Sequence, residues 1–156
     1  MAIGLSDSEI SDLISEPKPV RKIEFPLKMR KKGAHKEYEL EVQGVNGSLF
    51  VLKVRQSIYN LYDFSAILVY HIPTTSSAIR LRRYNGSSHQ HTNRLEKVTI
   101  DGFHIHQATE RYQLANLPAD SYAESTDRYY DLKTALDCLF ADCAFVLPED
   151  PQMSLI

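Results

Sequence analysis

The sequence lacks a long apolar segment, and its first residues do not have the pattern expected of a secretory signal. No apolar run approaches the roughly 20 residues that a membrane-spanning helix needs. Asp7, Glu9 and Asp12 place negative charge where a signal peptide is basic and then apolar. We therefore expect a cytoplasmic protein without a membrane partner. With 156 residues, 43% hydrophobic and 24% charged, the chain has the size and composition of one compact domain.

Cysteine is scarce, and its placement excludes two further classes of protein. Cys138 and Cys143 are the two cysteines of the chain, and their spacing fits neither a Cys-x-x-Cys redox motif nor a disulfide framework. We predict that both are reduced thiols. The helical His-Glu-x-x-His motif is absent as well, so a metal site would need a different pattern of ligands.

The chain as a whole has no excess of basic charge, since its formal net charge is −2. The basic residues are nevertheless concentrated: eight of the eighteen fall within residues 18–36, where only Glu24 opposes them. Such a strip can bind phosphates by releasing counterions. The alternative is an exposed strand edge that lysines protect against pairing with other chains.

The periodicity of apolar residues predicts an α+β fold, with a mostly antiparallel β-meander, a short N-terminal helix and a C-terminal helix packed on one face. The predicted single domain, 1–156, divides into an N-terminal helix and linker (1–17), a β-meander (18–112) and a C-terminal helix (127–143). Capping-box spacing at 6–9 starts the first helix, and Asn46-Gly47 joins strands at 36–42 and 49–54. Further strands are predicted at 64–72 and 78–84, an edge strand at 22–29, and a loop at 120–126.

Four of the six histidines form two His-x-His pairs, His89 with His91 and His104 with His106. Residues i and i+2 of a strand lie on one face, so each pair can present two imidazoles together. Three interpretations remain open. The pairs can bind a metal, act as acid and base on a phosphodiester, or contribute only surface polarity.

Polar residues beside the histidines suit a phosphodiester. If 78–84 is a strand, Arg80, Arg82 and Tyr84 project from one face, and the planar fork of arginine matches phosphate oxygens. Asn85 at the strand end can read a base edge, and Arg111 adds charge further along. We therefore predict a metal-independent endoribonuclease, in which the side chains of Arg82, His91, His104 and His106 open onto one pocket. Its catalytic residues are His89, His91, His104 and His106, and its substrate-binding residues are Arg80, Arg82, Tyr84, Asn85 and Arg111.

The order of residues from Ile79 to His89, followed by a His-x-His, resembles the TumE-like toxins of bacterial toxin–antitoxin systems. The resemblance covers residues 78–106, and the chain has Asn85-Gly86 where those toxins have an Asp-Asn type pair. It implies a bacterial or phage-borne ribonuclease-like toxin that acts on RNA and is neutralised by an antitoxin.

Two other functions remain beside the nuclease. A protein with nine tyrosines can be a non-catalytic interaction protein, such as a phage-encoded inhibitor of a host defence complex, because Tyr and Arg are favoured at interfaces. The nuclease interpretation assigns no cofactor and no metal ligand. Zinc or nickel binding becomes the alternative if the two histidine pairs converge.

Overall fold

The computed structural model describes residues 4–148. The helices in this range are α1 (Asp7–Ser15), α2 (Glu110–Leu114) and α3 (Leu132–Asp142). The strands are β1 (Lys18–Pro19), β2 (Arg30–Lys32), β3 (His35–Gln43), β4 (Leu49–Ser57), β5 (Phe64–His71), β6 (Ala78–Asn85), β7 (His91–Asn93), β8 (Val98–Ile100), β9 (His104–Gln107), β10 (Tyr122–Ser125) and β11 (Phe145–Val146). Between residues 4 and 148, no helix combines the length and the apolar composition needed to cross a bilayer.

Seven strands form one antiparallel sheet in the order β10-β9-β6-β5-β4-β3-β2. Strands β3 to β6 are neighbours in both sequence and space, which is the predicted meander. The chain then leaves the sheet as a separate two-stranded ribbon, β7–β8, and returns as β9 beside β6. The predicted α+β class is confirmed.

The two most local predictions, the first helix and the first hairpin, are also confirmed. Ser6 caps α1 by accepting a hydrogen bond from the Glu9 amide, while the Glu9 carboxylate accepts one from the Ser6 amide. Strands β3 and β4 pair from His35↔Ser57 to Gln43↔Leu49. Gly47 in their turn has φ +89°, a left-handed conformation that glycine adopts without a steric penalty.

Helix α3 packs against β5 and β6, and its apolar face was predicted from its spacing. Leu136 and Leu139 belong to one core cluster, which also receives Ile10 and Ile14 from α1. The helix begins at Leu132 and not at 127, because the Asp131 side chain accepts a hydrogen bond from the Thr134 amide and caps it there. Cys138 and Cys143 are both unpaired.

Two predicted segments are wrong. Residues 22–29 form no strand, and the outermost strand on that side is β2. Pro26 has no amide hydrogen to give to a strand pairing, and Leu27 and Met29 pack against the core from an irregular segment. The segment 120–126 is not a loop throughout, since Tyr122–Ser125 is the edge strand β10. Ala123 is the one buried residue of this strand, so the segment lacks the alternation of apolar and polar residues by which a strand is recognised in a sequence.

Candidate functional site

A β-bulge in β6 separates the arginines that were predicted to share a face. Leu68 pairs with Arg82, but the next residue of β5, Val69, pairs with Arg80, so Leu81 is an extra residue. The extra residue shifts the in–out alternation of side chains by one position. Arg80 therefore does not lie on the face of Arg82, and that prediction is wrong.

Arg82 and Tyr84 face α3, where both contact Asp142. The Tyr84 hydroxyl is fully buried and donates a hydrogen bond of 2.6 Å to Asp142 Oδ2, and Arg82 Nη1 lies 3.9 Å from the same oxygen. Arg128 donates two further hydrogen bonds to that carboxylate. Burial raises the pKa of Tyr84. These side chains hold α3 on the sheet and are removed from any shared site with the histidines.

The opposite face of the sheet carries the second histidine pair. His106 lies directly opposite Arg83 of β6, and His104 lies directly opposite Asn85. Arg83, which was not among the predicted residues, is therefore the arginine beside the imidazoles. Alternation alone places Arg83 on the face opposite Arg82 and Tyr84, but which face of β6 meets the histidines depends on its pairing with β9, and no local pattern encodes that pairing.

Three of the four predicted histidines come together, and we call them the histidine cluster: His91, His104 and His106. The ring centroid of His91 lies 4.4 Å from that of His106 and 5.9 Å from that of His104, and the last two are 5.1 Å apart. His91 is supplied by the β7–β8 ribbon, which packs beside β10. Asn93 fixes the ribbon there through two hydrogen bonds with Ala123. Its Oδ1 accepts from the Ala123 amide, and its Nδ2 donates to the Ala123 carbonyl.

Main-chain carbonyl groups hold each ring of the histidine cluster. Nδ1 of His104 donates to the Gly102 carbonyl at 2.8 Å, and Nδ1 of His106 donates to the Asp120 carbonyl at 2.7 Å. Nε2 of His91 donates to the Ser121 carbonyl at 2.6 Å. Because a carbonyl can only accept, each bond fixes which nitrogen carries a proton. The other nitrogen of each ring can then accept a proton or bind a metal.

Burial keeps the two β9 imidazoles neutral. Desolvation, with a smaller contribution from the charge of Arg83, lowers the pKa of His106 to about 3. Desolvation also lowers the pKa of His104. The side chains of both residues are only 2–3% exposed, so both are unprotonated bases at neutral pH.

Asp120 connects the histidine cluster to two arginines. Its carboxylate is nearly fully buried and lies 3.3 Å from Nε of both Arg80 and Arg83, while its carbonyl accepts from His106. Within residues 4–148, Nε of Arg83 and Oδ2 of Asp120 have no hydrogen-bond partner despite this proximity. Sequence analysis missed Asp120 because it belongs to a segment that was interpreted as a polar loop.

The remaining predicted residues lie apart from the histidine cluster or are engaged elsewhere. Asn85 accepts a hydrogen bond of 2.7 Å from the Ser65 hydroxyl. Arg111 donates to Glu96 and lies over the rings of Tyr112 and Tyr122. His89 is exposed on the turn before β7, and in the described part of the chain no ring contact joins it to the cluster.

Access to the cluster is through His91, its one half-buried member. Two grooves, of about 940 Å³ and 470 Å³, have no histidine in their walls. Among residues 4–148, no group of three or more His, Cys, Asp or Glu side chains has the arrangement of a metal site. The expected pocket containing Arg82 together with His91, His104 and His106 is not formed, because Arg82 lies on the face of the sheet that packs against α3.

Comparison with protein-family models, with curated proteins and with solved structures finds no match to this chain.

Proposed function

We propose that the protein is a ribonuclease-like toxin that cleaves RNA phosphodiesters, with the histidine cluster as its proton-transfer group. The observation that supports this proposal is the convergence of His91, His104 and His106 from two separate parts of the chain beside Arg83. Perturbed histidines beside a buried ion pair are more typical of functional sites than of ordinary protein surfaces.

The chemistry requires one base and one acid. The base removes the proton of the ribose 2′-hydroxyl, and the oxygen then attacks the adjacent phosphorus. The bond from phosphorus to the 5′-oxygen breaks, and the acid gives that oxygen a proton, so the products are a 2′,3′-cyclic phosphate and a 5′-hydroxyl. Histidine can serve in either role near neutral pH.

His91 is the proposed base, because it is the one member of the histidine cluster with an exposed portion. Its Nε2 is bonded to the Ser121 carbonyl, which leaves Nδ1 to exchange a proton. His104 and His106 are positioning residues, since their rings lie against His91 while their own Nδ1 atoms are held by carbonyl groups. The exposed His89, two residues earlier, is the candidate acid.

Arg80 is the proposed phosphate-binding residue. Its side chain is 48% exposed, whereas that of Arg83 is 24% exposed. Both meet at Asp120, whose carbonyl accepts a hydrogen bond from His106, so Asp120 connects Arg80 to the histidine cluster. A guanidinium group stabilises the charge that develops on phosphorus.

The test measures cleavage of a mixed RNA pool by untagged protein in the presence of a chelator, with detection of cyclic phosphate ends. His91→Gln should lower the rate by about 100-fold or more, the usual contribution of a proton-transfer group. His71→Gln is the matched control, because His71 is exposed on β5 outside the cluster, and it should cleave like the parent.

The parent protein should also be toxic when expressed in bacteria, and the His91→Gln variant should not. Equal cleavage by the parent and a folded His91→Gln variant, or no cleavage by either, removes the nuclease proposal and favours the non-catalytic interaction protein. Activity that is lost on chelation and restored by zinc or nickel instead supports the metal-binding alternative.

A further inference from the structure

A second surface, remote from the histidine cluster, forms a wide groove that no part of the proposed nuclease chemistry uses. The groove has a volume of about 940 Å³ and lies between the irregular segment 25–29, the β4–β5 turn and the start of α3. Its walls are mostly apolar, with both aliphatic and aromatic side chains. They include Leu27, Met29, Leu61, Leu132 and Leu136.

The groove gathers exposed apolar side chains that a protein surface does not usually place together. Tyr130 is 70% exposed, Leu61 is 68%, Tyr62 is 56% and Phe25 is 42%, and all four line this one groove. Exposed apolar residues scattered singly need no explanation, but a contiguous patch marks an interaction site.

The charge available at the edge of the groove is positive. Lys36 and Lys133 line it. Lys133 is paired with Asp137 of α3, whereas Lys36 has no ion pair among residues 4–148. Asp131 also lines the groove, but its carboxylate is occupied by the amide and hydroxyl of Thr134 at the start of α3. Arg30 and Lys31 of the adjoining β2 add further basic charge.

We infer that this groove binds an amphipathic helical segment of another protein, with an apolar stripe against the apolar walls and acidic residues against Lys36 and Lys133. A helix of about 10 Å diameter that presents residues i, i+3 or i+4 and i+7 is the occupant that an open apolar groove accepts. Complementary charge on the rim then fixes its orientation.

Single-stranded RNA is the competing occupant, because Phe25, Tyr62 and Tyr130 offer rings on which bases stack. The aliphatic side chains of Leu27, Met29 and Leu61 continue the apolar surface between these rings, and they suit the apolar stripe of a helix better than the polar edges of bases. The inference does not depend on the proposed nuclease activity, because no residue of the histidine cluster lines the groove.

The test is a selection from a displayed library of random 16-residue peptides on the full-length protein. The enriched sequences should place Leu, Ile, Phe or Met at helical spacing, with Asp and Glu outnumbering Lys and Arg. Synthetic peptides with these sequences should bind Leu61→Glu and Lys36→Glu at least about tenfold more weakly than the parent, a loss typical of a truncated or reversed interface contact.

Leu49→Glu is the matched control, because Leu49 is a similarly exposed leucine (55%) on β4 outside the groove. It should bind the peptides like the parent. Tyr130→Glu, at an equally exposed groove position, replaces Leu61→Glu if the latter fails to give a parental melting temperature. Binding should also weaken as the salt concentration rises, since the rim charges are exposed.

Three results overturn the inference. The first is a selection that enriches no peptides, that enriches basic or neutral peptides, or that enriches peptides binding Leu61→Glu as tightly as the parent. The second is binding of a uridine-rich 12-nucleotide RNA that Leu61→Glu abolishes, which assigns the groove to nucleic acid. The third is a dimer of the parent in light scattering that Leu61→Glu dissociates, which assigns the groove to a second copy of the chain.

Discussion

At the scale of single residues, Lys18 is fully buried and its Nζ lies 2.7–2.9 Å from four main-chain carbonyl oxygens. Three of these belong to Leu13, Ile14 and Glu16 around the end of α1, and the fourth belongs to Cys143. Pro17 has no amide hydrogen to satisfy the carbonyl of Leu13. The lysine therefore satisfies helix-end carbonyls that the main chain does not.

Replacing Lys18 with Met should lower the free energy of unfolding by about 2–5 kcal/mol, because buried carbonyl groups would lose their donor. Burial lowers the pKa of Lys18 to about 8, so the side chain is still charged at pH 7. Urea unfolding at pH 7 measures the effect, with Lys53→Met on the exposed face of β4 as the control. Parental stability of Lys18→Met would mean that water replaces the ammonium group.

His106 should make the stability of the protein depend on pH. Its pKa is about 3 in the folded protein, against the ordinary value of 6.5 in the unfolded chain. Between these values the unfolded chain binds a proton that the folded protein does not, so stability falls as the pH falls through this window. Relative to pH 7, this residue should cost about 2–3 kcal/mol at pH 4.5.

Urea unfolding of the parent and of His106→Asn at the two pH values isolates this contribution. Asn keeps an N–H donor for the Asp120 carbonyl but does not titrate, so its loss of stability between pH 7 and pH 4.5 should be smaller by about that amount. An identical pH dependence in the two proteins would contradict the burial of a neutral imidazole. Because His104 and His106 are buried, substituting either should cost more stability than substituting an exposed strand residue.

At the scale of secondary-structure elements, the bulge in β6 decides which residues meet. Arg82 and Tyr84 contact Asp142 on the α3 face, and Arg83 lies on the opposite face, as alternation requires. The extra residue, Leu81, moves Arg80 from the first face to the second, where it meets Arg83 at Asp120. The bulge therefore adds a second arginine to the face that carries the histidine cluster.

Helix α3 should contribute to stability mainly through its buried face. Leu139 is fully buried against the sheet, so Leu139→Ala should lower the free energy of unfolding by about 2–5 kcal/mol through the cavity it leaves. Asp137→Ala on the exposed face of the same helix is the control and should stay within about 0.5 kcal/mol of the parent. Thermal or urea unfolding measures both, and equal losses would show that the helix face is assigned incorrectly.

At the scale of the whole molecule, the two candidate surfaces use different parts of the fold. The histidine cluster lies on the sheet face opposite α3 and is covered by the β7–β8 ribbon, whereas the groove lies where α3, segment 25–29 and the β4–β5 turn meet. The net charge of −2 conceals this arrangement, because Lys36 of the basic strip lines the groove and the buried Asp120 lies beside the histidines.

The sequence alone determined the features that depend on short spacing. The capping box predicted α1, the Asn-Gly turn predicted the β3–β4 hairpin, and leucines at helical spacing predicted the buried face of α3. Each of these patterns acts over only a few residues. The shared face of His104 and His106 is also anticipated, since residues i and i+2 of a strand lie on one face. Their convergence with His91 depends on where the β7–β8 ribbon packs, which no short spacing encodes. Tertiary structure decided the rest. The bulge, the edge strand β10 and the burial of Asp120 arise from pairing between distant segments, and no local pattern encodes which strand face the neighbouring chain will cover.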